Sequence, residues 1–279
     1  MRAISSDHIS VAIHEFGGDG PPLLFSHATG FHGYCYLPVA DRLADRFTSY
    51  GHDHRGHGST PRPDDWAVDW ECYGDDALAA ARAIAPDGGI VAFGHSMGGT
   101  SLLMAAHREP ELFDLLVLFE PIVFPTDVDR SGQEPTPMIE QARRRRNSFE
   151  SFEEAVENYS SKPPMKFFDP DIVRMYVGHG MRPSPEGVRL KCDPEHEART
   201  FETGASHRTW DLLPEIHTRT VVVTGGDLMG PAAVAPAVAD RLANSTLVQQ
   251  PDSNHFGPFI DPGGTADLIA DMAGAAPAT

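Results

Sequence analysis

The sequence predicts an α/β protein, built on a mainly parallel central sheet flanked by helices and interrupted by a helical insertion. Two observations carry this prediction. Apolar strand-like runs alternate with helical patterns through the first 120 residues, as βαβ units require, and the alternation returns after residue 212. Between about 124 and 212 it lapses into proline-rich and helical stretches with no strong strand. The expected organisation is therefore a core formed by residues 1–123 and 213–279, with residues 124–212 inserted as a helical cap.

Taken in order, residues 9–16 (ISVAIHEF) form the first clear strand, and PPLLFS at 21–26 is a short apolar run that opens into the loop HATGFHG. Helical spacing over 36–45 is followed by a strand at 46–53, which ends in the turn HRGHGST. An Ala-rich helix at 70–84 precedes the buried strand GGIVAFGH at 88–95. Its turn SMGG launches a helix that runs to about 108. FDLLVLFE at 113–120 is a further strand, stopped by Pro121 because proline cannot donate to a ladder. Beyond the insertion, TRTVVVTGG at 218–226 and STLVQQP at 245–251 read as strands. PAAVAPAVADRLA and TADLIADMAGA read as the helices that follow them.

Composition narrows the function. A net charge of −18 works against binding nucleic acid or an anionic membrane, and it is explained by solubility alone. No signal-peptide-like opening and no run of about 18 apolar residues is present, so the expected location is the cytoplasm. Cys35, Cys72 and Cys192 lack metal-ligand or C-x-x-C spacing and read as free thiols.

The most specific signal is GHSMGG at 94–99, a G-x-S-x-G set between an apolar strand and a helix. A strand that reverses this sharply into a helix strains the serine backbone and leaves no room for side chains at the flanking positions. Gly94 and Gly98 supply that room, and Gly99 lets the helix pack close to the sheet. The helix N-terminus behind Ser96 favours developing negative charge. A plain Gly-Ser turn would need neither flanking element. The dinucleotide and Walker patterns are absent.

With HATGFHG at 27–33, HDHRGHGST at 52–60, GHSMGG at 94–99 and HF at 255–256, the chain resembles the α/β-hydrolase superfamily, in its cap-bearing, esterase-like branch. The likeness covers nearly the whole chain. It implies Ser96 as nucleophile, with the Met97 N–H as one oxyanion donor. By the same resemblance the loop His27-Ala28-Thr29-Gly30 supplies the other donor from Thr29, although Ala28 and Gly30 depart from the family's His-Gly-x-Pro.

The general base is expected at His255, which follows the last strand. A serine hydroxyl needs a base that titrates near neutrality, and fourteen histidines compete for the role. His95 points to the other side of its strand, His52, His54 and His57 belong to a glycine-rich turn, and His27 buttresses the oxyanion loop. The acid that orients the imidazole is placed at Asp227, after the strand VVVTGG, with room for a helix and a strand before His255. Glu120, which ends the preceding strand, is the competing acid, and Asp252 reads as a loop residue.

A serine nucleophile points to acyl transfer rather than the alkyl-enzyme chemistry of relatives that use aspartate. The expected reaction is hydrolysis of a carboxylic ester or lactone, with no metal and no organic cofactor. Thioester or C–C bond hydrolysis would use the same residues, and a non-catalytic binding role is the reading from another class. The expected partner is a small ester-like molecule, not nucleic acid or membrane. A homo-oligomer is left open. Phe31 and Phe256, beside the predicted loops, are expected to contact substrate. The tract RRRR at 143–146 points in all directions on a helix and reads as a solvated face.

Overall fold

Each apolar run that the sequence offers as a core strand is paired in one eight-stranded sheet of the computed structural model, which describes residues 1–126, 137–227 and 229–275. The strands are β1 (Arg2–Ile4), β2 (Ser10–Gly17), β3 (Pro22–Ser26), β4 (Thr48–His52), β5 (Ile90–His95) and β6 (Phe113–Phe119). Three short strands of a second sheet follow, β7 (Ser148–Phe149), β8 (Met181–Ser184) and β9 (Gly187–Leu190). The chain then returns to the main sheet with β10 (Thr220–Gly225) and β11 (Ser245–Gln250). The main order is β1-β2-β4-β3-β5-β6-β10-β11. It is antiparallel at the β1–β2 and β2–β4 pairs and parallel elsewhere.

Strand alternation divides the core into two layers. Leu23, Phe25, Val91, Phe93, Val117, Phe119, Val221 and Val223 point to one face, and Leu24, Ala92, Leu116, Leu118 and Val222 to the other. Helices Glu71–Ile84 and Met97–Arg108 cover the second face with alanine and leucine. Helix Pro262–Gly274 covers the first through Ala266, Leu268 and Ile269. Each fully buried Leu, Val or Phe contributes about 1.5–3 kcal/mol of transfer free energy, so both layers hold the sheet strongly.

The parallel register sets the site. Ser26 lies level with Gly94, and His95 with Phe119, which in turn pairs with Val223. The C-terminal ends of β3, β5, β6 and β10 therefore open side by side, where an open parallel sheet places its ligands.

The segment between β6 and β10 holds helices Pro137–Arg143, Phe152–Ser160, Pro170–Gly180 and Pro194–Glu202. It also holds the antiparallel sheet β7-β9-β8, where the sequence predicts no strong strand. These strands have two to four residues, and β8 contains Pro183. The reversal into β9 uses Gly187 at φ +124°, a turn conformation open to glycine. Tyr159, Phe168 and Tyr176 of this segment join the same apolar cluster as Phe31 and Phe259. Cys35, Cys72 and Cys192 are free thiols. Among the described residues, no helix is long and apolar enough to cross a membrane.

Candidate active site

Ser96 stands between β5 and helix Met97–Arg108 with φ +58° and ψ −118°, a strained conformation for a residue with a Cβ. The ladder holds it there, since the Ser96 N–H donates to the Phe119 carbonyl at 2.9 Å. The glycines around it have steric reasons. A Cβ on Gly98 would lie 2.0 Å from the Ser26 carbonyl oxygen, and one on Gly94 would lie 2.6 Å from Gly99 Cα.

The Ser96 hydroxyl donates to His255 Nε2 at 3.1 Å, and His255 Nδ1 donates to Glu120 Oε2 at 2.6 Å. The other Glu120 oxygen accepts the Gly225 N–H at 2.8 Å. Glu120 is 1% exposed and holds φ +46°, with its own N–H bound to the Val223 carbonyl. Ser96 is 6% exposed against 28% for the His255 side chain, so solvent reaches the pair from the imidazole side.

In this arrangement Glu120, and not Asp227, lies against His255. Asp227, the favoured candidate, is exposed and has no hydrogen bond or ion pair among the described residues. Sheet order supplies the reason. β6 is the immediate neighbour of β5, so the residue after β6 emerges beside Ser96. Asp227 lies two residues beyond β10, one strand farther out. Asp252 is likewise exposed, in the turn after β11.

The loop after β3 also lies against the start of the helix, with Thr29 Oγ1 donating to Met97 Sδ at 3.5 Å. Neither the Thr29 nor the Met97 N–H has a protein acceptor among the described residues. The Ala28 carbonyl accepts from Phe31 N–H and from His27 Nδ1, which turns the Ala28–Thr29 peptide so that its N–H faces the opposite way. His27 Nε2 in turn accepts the His54 N–H at 2.9 Å. His27 therefore joins the loop after β3 to the turn after β4 through two hydrogen bonds. Phe31 packs on Phe259 and Tyr176, and Phe256 on His255 and Phe168.

A model of the alpha/beta hydrolase family matches residues 23–268. The chain belongs to that family. It is 26% identical over 280 residues to the 2-(acetamidomethylene)succinate hydrolase of Mesorhizobium japonicum, covering 97% of this chain and 94% of that protein. It is 26% identical to a putative carbamate hydrolase of Rhizobium rhizogenes, covering 88% and 89%. The crystal structure of an E-2-(acetamidomethylene)succinate hydrolase superposes with a TM-score of 0.77 at 22% identity, covering 99% of this chain and 98% of that one.

Two features of this alpha/beta hydrolase family member escape sequence reasoning. The arginine tract is not a uniform solvated face. Arg143 binds Glu140, Glu195 and Glu202, and Arg146 binds Glu154. Only Arg144, 82% exposed, is chiefly solvated. Arg145 turns inward to Glu197 at 3.0 Å and to the Tyr176 hydroxyl. Glu197 is buried against the loop after β3, since a Cβ on Gly30 would meet its Oε1 at 2.6 Å. Burial pushes the Glu197 carboxyl up, and Arg145 opposes that shift.

The second feature is the set of buried imidazoles beneath the loop. Burial pushes His32, His52 and His57 down to about 4, with Asp53 opposing in each case. They stay neutral in the fold at pH 5, while in the unfolded chain each takes up a proton near 6.5. Their stabilisation is complete above the unfolded value and is lost as pH falls from about 6.5 to about 4, by roughly 1.4 kcal/mol per pH unit for each histidine. The urea midpoint should therefore fall steeply between pH 7 and pH 5. A flat midpoint over that range would contradict the burial of neutral rings.

Proposed function

We propose that this protein is a serine hydrolase that cleaves a carboxylic ester or lactone through an acyl-Ser96 intermediate. The observation that supports it most is the line Ser96 Oγ to His255 Nε2 to Glu120, set on a strained turn at the open end of the sheet. In this reading His255 Nε2 takes the hydroxyl proton as Ser96 Oγ attacks the acyl carbon. The oxyanion that forms accepts hydrogen bonds from the Thr29 and Met97 N–H groups. His255 then gives its proton to the leaving alkoxide, which departs as an alcohol or, from a lactone, stays tethered as a hydroxyl. A water molecule, deprotonated by the same imidazole, releases the acid and restores Ser96. Glu120 accepts the His255 Nδ1 hydrogen bond and stabilises the imidazolium. The chemistry uses no metal and no organic cofactor. Within the expected cap of residues 124–212, of which 127–136 lie outside the described residues, the aromatic residues of 137–212, with Phe31 and Phe256, provide apolar surface for the acyl group.

A second reading, cleavage of an N-acyl bond, is favoured by the relative that spans nearly the whole chain. Its name describes an acetamido compound. The same residues serve, with His255 protonating a nitrogen leaving group.

The test is labelling with a fluorophosphonate, followed by a hydrolysis panel of p-nitrophenyl esters of graded chain length, lactones, thioesters and N-acyl compounds. Labelling at Ser96 and turnover of the esters are expected. A folded protein that resists the probe would instead be a non-catalytic binder, and faster turnover of N-acyl substrates would favour the second reading.

A further inference from the structure

His95, the residue before Ser96, is fully buried and makes two ring hydrogen bonds, neither of them to Ser96 or to the His255 side chain. Its Nε2 lies 2.7 Å from the His255 main-chain oxygen, 160 residues away in sequence. A carbonyl oxygen can only accept, so Nε2 carries the proton. Burial and the neighbouring His255 hold the ring neutral, which leaves Nδ1 bare. The Tyr36 hydroxyl, 3.0 Å from Nδ1, must then be the donor. A directional chain results, from the Tyr36 O–H to His95 and on to the His255 carbonyl.

The setting explains why such a chain matters. His255 lies in a turn outside any helix or strand, between β11 and helix Gly257–Ile260. Its ring bonds to Ser96 and Glu120 fix the imidazole plane only if the main chain that carries it is itself fixed. The bond from His95 ties that main chain to β5, the strand that presents Ser96. Ring packing of His95 on Phe119, Phe259 and His255 at 5.1–5.8 Å holds the clamp in place.

We propose that His95, with its tautomer set by Tyr36, is a positioning residue that clamps the main chain of the general base to the strand bearing the nucleophile. The proposal rests on the hydrolase reading above. A displacement of about 1 Å at the base costs on the order of a hundredfold in rate. His95→Leu should therefore lower kcat and the rate of fluorophosphonate labelling by about 10- to 100-fold while KM stays within about threefold. His95→Gln keeps an N–H in reach of the His255 carbonyl and should recover most of the loss, to within about fivefold of wild type. Tyr36→Phe removes the donor with little change of volume and should lower kcat by about three- to tenfold.

Wild-type labelling that Ser96→Ala abolishes establishes the hydrolase reading independently of these variants. If the wild-type protein is not labelled, that reading fails and the clamp falls with it. Given wild-type labelling, the clamp alone is overturned by a folded His95→Leu with wild-type kcat, or by Leu and Gln variants equally impaired. Should His95→Leu not fold, a Tyr36→Phe variant with unchanged kcat and labelling rate overturns it instead.

Discussion

Replacing Ser96 with alanine should lower kcat by roughly a million-fold, leaving only the background that oxyanion donors and binding provide. The magnitude follows from the role: without Oγ no acyl-enzyme forms, and the imidazole has no hydroxyl to activate. Folding should be little affected. Alanine meets the same steric cost at φ +58° that serine already bears, and among the described residues the lost hydroxyl makes its side-chain hydrogen bond only with His255. A melting temperature near wild type beside abolished turnover and abolished labelling is therefore the expected pair of results. Adding His255→Ala to Ser96→Ala should cost almost nothing more, because the two groups act as a unit. Turnover within a few-fold of wild type in a folded Ser96→Ala protein would move the chemistry to another nucleophile.

Much of this arrangement is legible in sequence because the responsible signals are local. A run such as IVAFGH ending in G-x-S-x-G declares strand, turn and helix within a dozen residues, and β5, Ser96 and helix Met97–Arg108 lie where the pattern puts them. The strands β7, β8 and β9 are too short for alternation to register, and prolines interrupt the hairpin. His95 shows a subtler limit. Alternation turns its ring to the other side of the strand, yet nothing in neighbouring sequence announces that the His255 carbonyl waits on that side. The inward turn of Arg145 within RRRR depends in the same way on Glu197, which is brought back from a different helix.

The choice of acid is the sharpest instance, and it yields the second large prediction. Glu120 and Asp227 look alike in sequence, each a carboxylate just after an apolar strand. What separates them is the order β5-β6-β10, a non-local property that no residue pattern encodes. Glu120→Gln should lower kcat by about ten-thousandfold, since an amide at this position can present its own N–H to His255 Nδ1 and so favour the wrong tautomer. It also withdraws the charge that stabilises the imidazolium. The Gly225 N–H can still bond to the amide oxygen, so the loss should fall on kcat more than on stability. Asp227→Asn, a change at an exposed residue with no partner among the described residues, should leave kcat and KM within about twofold. Reversed results, with Asp227→Asn crippled and Glu120→Gln active, would mean that the acid reaches His255 from β10 through a rearrangement of the loop that carries it.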